Sequence, residues 1–169
     1  MTLFLHVAAM VLAVLCLWSM RHEISERART RLDWAVAPAL ALLAAGLLVI
    51  VSPGKRLELW ALFIGGGLVA GLVVGMILVG EKDFAQNLVR VHRTWDGVAA
   101  AAALFLLALI RFVTTDLMHR QSSGFGVLAA IAAALAFYLV GRVLTFQLYT
   151  APRSIHLDMV PGQKRHRAS

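Results

Sequence analysis

Charge is what this chain has least of. Only 15% of its 169 residues are Asp, Glu, Lys or Arg, against about a quarter in a soluble domain. A single cysteine, Cys16, excludes an internal disulfide and a two-thiol relay; it reads as a small buried apolar residue. The sequence contains no Gly-rich phosphate loop, no activated-serine motif and no carboxylate–histidine cluster with zinc spacing. The longest connection between apolar blocks, 81–96, has 16 residues, which leaves no room for a soluble domain. Any chemistry must therefore lie in the apolar blocks, in short loops or in a partner.

What is abundant is hydrocarbon. Apolar residues make up 60% of the chain, and mean hydropathy is +0.80. They fall into five blocks, 2–19, 34–52, 59–80, 97–114 and 125–149. A helix crossing a bilayer needs about 20 such residues. The expected fold is all-α: an integral membrane bundle of five transmembrane helices, lodged in a lipid bilayer and followed by a basic tail, 150–169. The first block is followed, not preceded, by positive charge and lacks a small-residue cleavage site, so it reads as a retained span and not as a signal peptide. Trp18, Trp34, Trp60 and Trp95 fall at the block boundaries, where indoles favour the headgroup layer. Pro38 lies in the first turns of the second block, where proline is best tolerated, and Pro53–Gly54 ends it.

The basic residues set an orientation. Segments 20–33, 81–96 and 150–169 share one side and hold eleven Lys and Arg, whereas the other side has Lys55, Arg56 and Arg120. Positive loops stay in the cytoplasm, so the N-terminus is expected outside and the tail inside a bacterial cytoplasmic membrane. The net charge of +7 is then largely this signal. The tail has no aromatic platform, so nucleic acid is not an expected partner. Within EKDFAQNLVRVHRTW, the stretch LVRVHRTW alternates as a strand does, either in a hairpin with 82–86 or as an interfacial segment. Thr94 or Asp96 is expected to cap the fourth helix.

Glycine is plentiful where a helix would seem to exclude it. IGGGLVAGLVVGMILVG, residues 64–80, carries six glycines. Gly67, Gly71 and Gly75 are four apart and form one stripe. Helices in lipid associate through close packing, and in hydrocarbon the helix survives its glycines because any alternative leaves peptide groups unsatisfied. The stripe predicts close helix contact, either with the alanine-rich fourth and fifth blocks (99–103 and 129–136) or with another copy or protein.

Two arginines lie inside apolar blocks. Arg111 reads as snorkelling to its nearer headgroup layer, with Asp116 and Glu58 as local partners. Arg142 is deeper and is a candidate buried charge or ligand site, with Asp33, Glu81 or Asp96 as its partner. His6, His22, His92 and His119 are candidates for haem ligation, although none sits well inside a block. No broken helix or internal repeat of a transporter is present.

The run GGGLVAGLVVGMILVG, then VRVHR, then LFLLALIRF and GRVL resembles the CcdC-like family of small bacterial multi-pass membrane proteins over about residues 64–146. That resemblance implies a link to cytochrome c biogenesis and, by position, functional roles for Arg111 and Arg142. The functional expectation is a non-enzymatic accessory, assembly or structural subunit that packs against another membrane protein or a second copy. A small carrier or channel using Arg142 and a haem-binding redox protein are the alternatives. A cofactor cannot be named from the residues.

Overall fold

The computed structural model describes residues 2–24, 29–52, 57–78, 80–83, 88–91, 94–118 and 124–149. Five helices carry the fold: α1 (Thr2–Ile24), α2 (Arg31–Ile50), α3 (Leu57–Ile77), α4 (Asp96–Phe112) and α5 (Phe125–Tyr149). Each is long and apolar enough, α4 together with the turn that follows it, to cross a membrane. The chain is thus an all-α bundle of five candidate spans, as its apolar blocks predict.

The packing logic is the reverse of a soluble protein's. The buried positions are small: Ala9, Ala13 and Cys16 on α1, Ala37, Ala41, Ala44 and Ala45 on α2, Ala100, Ala101 and Ala108 on α4, and Ala129, Ala132, Ala133 and Ala136 on α5. Steps of three, four or seven residues put most of each set on one helix face. Many bulky side chains, among them Phe4, Leu43, Leu62, Val69, Leu106 and Leu148, point outward, while Leu104, Leu139 and Phe146 are buried. In lipid there is no gain in hiding large apolar groups from the surroundings. Small faces let backbones approach, and dispersion contacts then hold the helices together.

Helix α1 packs on α2 and α4, and α5 packs on α2 and α4, while α3 lies outside that group against α5. The α3–α5 pair is parallel, because Gly67, Gly71 and Gly75 meet Ala134, Tyr138 and Arg142 in that order. A Cβ at Gly67 or Gly71 would overlap the carbonyl oxygen of Ala134 or Tyr138, and one at Gly75 would lie 2.5 Å from the Arg142 carbonyl oxygen. Gly141 returns the contact from α5, since its Cβ would sit 2.6 Å from the Leu68 carbonyl oxygen. The stripe therefore faces the fifth helix of the same chain. Gly65 and Gly66, off the stripe, have open space where a Cβ would be.

Several expected boundaries shift. Helix α1 runs one turn beyond 19, to Ile24, because Glu23 on that turn is buried among polar partners described below. Helix α3 stops at Ile77, and Gly80 opens a strand instead of closing the helix. The strand-like loop is a strand: β3 (Leu88–Val91) is the centre of a small antiparallel sheet, with β2 (Gly80–Asp83) on one side and β1 (Arg29–Thr30) on the other. Gly80 pairs with Val91 and Asp83 with Leu88, while Arg29 pairs with Val89. The described hairpin partner is 80–83, which shares Lys82 and Asp83 with the expected 82–86, residues 84–86 lying outside the described residues, and a third strand supplies backbone partners on the other edge. Pro38 is well inside α2. Neither Thr94 nor Asp96 caps α4: the N-cap position is Trp95, without a side-chain hydrogen bond. The two polar residues flanking it are committed elsewhere.

Candidate functional site: a buried ionic cluster

Arg142 lies on α5 one residue after Gly141, where the backbone is pressed against α3. Its carbonyl therefore meets Gly75, and its side chain projects the other way, toward α1 and α4. There it is fully buried. Nη1 and Nη2 donate to the two carboxylate oxygens of Glu23 at 2.6 and 2.8 Å, a two-pronged pairing of guanidinium with carboxylate. Nη2 also donates to Thr94 Oγ1 at 3.0 Å and lies 3.3 Å from Asp96 Oδ1. Nε is 2.7 Å from Asp96 Oδ2, in ion-pair contact but off the axis of a hydrogen bond. The Tyr138 hydroxyl donates to the same Asp96 Oδ2 at 2.8 Å.

Local structure explains why these groups meet. Tyr138 and Arg142 are four apart on α5 and share a face. Asp96 is in the first turn of α4, where the helix dipole favours an anion. Gly97 follows it, and a Cβ there would lie 2.6 Å from Glu23 Oε2 and 2.8 Å from Arg142 Nη1. A larger residue there would have to displace the ends of these two side chains, because the salt bridge passes directly over the α4 backbone. Helices α1, α4 and α5 are thus pinned together at one point, and the pinning residue on α5 is also the last tooth of the α3 contact.

Sequence reasoning placed Asp96 among the partners of Arg142 and missed Glu23. Glu23 sits in RHEISERARTR, which reads as a solvated basic loop, and only the extra turn of α1 brings it inside. Asp33 is exposed, and the Glu81 side chain lies outside the described residues. Tyr138, in the middle of the fifth block, and Gly97 carried no signal in the sequence, and Thr94 was expected only as a cap of α4.

The opposite end of the bundle holds Arg111, His6 and Asp116. Arg111, expected to snorkel, is 3% exposed and enclosed by protein at this end of the bundle. Nη2 donates to the Val51 carbonyl oxygen at 3.1 Å, and the guanidinium lies 4.3 Å from the centroid of the Phe125 ring. Of its expected partners, Asp116 acts on it through charge alone because its direct contact is with His6, and Glu58 is exposed. A π-helical turn, Val113–Leu117, follows α4 and carries Asp116 to within 2.6 Å of His6 Nδ1. His6, a haem-ligand candidate near the end of its span, is buried within the bundle, where this carboxylate gives its ring a partner. The His22 side chain, His92 and His119 lie outside the described residues. Among the described residues no three His, Cys, Asp or Glu side chains come together as a metal site. Cys16 is buried, with Sγ 3.3 Å from the Ala37 carbonyl oxygen.

In chemical terms the Arg142 cluster is a closed clasp. Its buried cation is surrounded by acceptors from α1, the start of α4 and Thr94 just before it, and Nε, without a hydrogen bond, is in ion-pair contact with Asp96. Comparison with protein-family models, curated proteins and solved structures finds no match for this chain. The functional reading rests on this geometry.

Proposed function

We propose that this chain is a non-enzymatic accessory, assembly or structural subunit of a membrane complex in the bacterial cytoplasmic membrane. In this reading the His6 end faces outward, the Arg142 end and the basic tail face the cytoplasm, and Gly67, Gly71 and Gly75 act as a glycine zipper within the chain. The observation that carries it is the use made of Arg142. A deep charge in lipid is costly, and a substrate path would leave part of it open. Here Nη1 and Nη2 are spent on Glu23, Thr94 and Asp96, contacts that join three helices. The same helix is bound to α3 by a bare-backbone seam. Polar groups that serve to fix a bundle suit a scaffold better than a carrier.

The face offered to a partner is the outer side of α3. Among the described elements this helix has α5 as its principal neighbour, and it exposes Leu62, Val69, Val73, Met76 and Ile77. Gly65 and Gly66 on this helix have no atom near a built Cβ, so a second transmembrane helix can approach there. The occupant proposed is an apolar membrane helix of another protein. Kinship with the CcdC-like family belongs to the same proposal.

The test is photocrosslinking from an unnatural residue at Val69 or Val73 in native membranes, with Leu43 on α2 as a control face. A discrete protein adduct from α3 that is absent from α2 is expected. Adducts to lipid alone from every position would overturn the reading. Substituting Gly71 does not test it, because that residue is committed inside the chain.

A further inference from the structure

Arg111 is a permanent cation that is buried with no carboxylate in hydrogen-bond contact. Of its nitrogens only Nη2 has an acceptor, the Val51 carbonyl; Nε and Nη1 are buried with none. The C-terminus of α2, to which Val51 belongs, contributes the equivalent of about half a negative charge. That offsets part of the guanidinium charge, and the Asp116 carboxylate, in the turn after α4, offsets more through space. Asp116 makes its direct contact with His6, however, at 2.6 Å. Two buried guanidinium nitrogens are thus left without an acceptor, and a buried donor left unpaired is costly, so a further acceptor would stabilise this position.

Two more polar atoms at this end are orphaned in the same way. Thr115 Oγ1 and His6 Nε2 are both buried with no hydrogen-bond partner. Thr115 lies in the π-helical turn directly after α4, and such turns recur at functional sites. His6 is tied to that turn through Asp116. The level is informative as well. Arg111 contacts the end of α2 and Phe125 at the start of α5, so it stands where the spans end and the phosphate layer of a bilayer begins.

We infer that Arg111 binds a phosphate-type oxyanion, supplied by a lipid headgroup or by free phosphate, with Nε and Nη1 as the principal donors. A guanidinium suits this ligand because its donors form a planar fork that matches two phosphate oxygens. The Phe125 ring covers one face of the fork and fixes its plane. The inference is independent of the accessory role proposed above, since a scaffold, a carrier or an enzyme could each hold such an anion.

The experiment uses the full chain purified in a neutral maltoside detergent without phosphate. Thermal unfolding is followed while inorganic phosphate is added, with sodium chloride at matched ionic strength as control. Retained lipid is read in parallel by native mass spectrometry after exposure to phosphatidylglycerol or to phosphatidylcholine. If the site takes free phosphate, Tm rises by about 5–10 °C at a hundredfold excess over Kd, and chloride does nothing. If a headgroup is the source, one phospholipid stays bound through detergent exchange. Either effect must vanish in Arg111→Met and weaken in Arg111→Lys, which keeps the charge and loses the fork. The lysine variant serves as the comparison if the methionine variant does not fold. The inference is overturned if wild type shows neither effect, which would leave water as the partner of these donors, or if both variants respond as wild type does.

Discussion

Removing Glu23 should unfasten the bundle more than any exposed charge could. Its carboxylate side chain is 5% exposed and receives both prongs of Arg142. In Glu23→Ala the guanidinium loses two charge-assisted hydrogen bonds and remains fully buried. Breaking one partner out of a buried pair costs about 3–5 kcal/mol. Asp96 stays 2.7 Å from Nε, so the cost belongs near the lower bound, about 3 kcal/mol. Arg142→Met is worse, because it leaves Glu23 and Asp96 as neighbouring anions with no cation between them. The double variant Glu23→Met/Arg142→Met behaves differently. It removes the buried pair together, and the carboxylate left behind, Asp96, is 32% exposed and keeps its Tyr138 hydrogen bond. Replacing a whole buried pair with apolar side chains is often close to neutral, so stability should return to within about 1–2 kcal/mol of wild type. Reversible unfolding of the purified chain in mixed micelles of increasing dodecyl sulfate content, followed by tryptophan fluorescence, measures all three. A Glu23→Ala variant within about 0.5 kcal/mol of wild type, the range of surface substitutions, would refute the clasp. A double variant as unstable as the sum of the single ones would refute the pairing.

Gly71→Ala should destabilise the α3–α5 seam by about 1–3 kcal/mol, the cost of overpacking, because its Cβ meets the Tyr138 backbone, which cannot yield as a side chain does. Gly66→Ala, with open space at that point, should be neutral or stabilising by a few tenths of a kcal/mol through helix propensity; the same micelle titration compares the two. Gly97→Ala should mimic Glu23→Ala by pushing Glu23 off Arg142, and the pair should be non-additive in a double-mutant cycle. Cys16, enclosed between α1 and α2, should resist a membrane-permeant maleimide in the folded chain and react fully once the chain is denatured. Labelling of the native chain at the denatured rate would contradict the packing of those two helices.

Much of this architecture was legible from one-dimensional pattern. Apolar length alone marks five spans, and the block at 125–149 coincides with α5, because a backbone in hydrocarbon has no partner except itself. The four-residue spacing of Gly67, Gly71 and Gly75 foretold a close contact, and the alternation in LVRV foretold a strand. The ends of the helices were less legible. Whether α1 stops at 19 or at Ile24 depends on what Glu23 finds, and hydropathy cannot register a partner 119 residues away. The same holds for His6, whose partner Asp116 arrives on the π-helical turn.

Composition and periodicity thus determined the solvent this chain is built for, the number of its helices and the existence of a bare-backbone face, since each follows from local chain chemistry. Tertiary structure alone decided that the glycine stripe meets α5 of the same chain. It alone decided that Arg142 takes Glu23 as well as Asp96, and that Arg111 is enclosed against the end of α2 and the start of α5. The physical reason is that charges within hydrocarbon must be matched in three dimensions, and the matching residues lie on different helices whose mutual placement no single segment encodes.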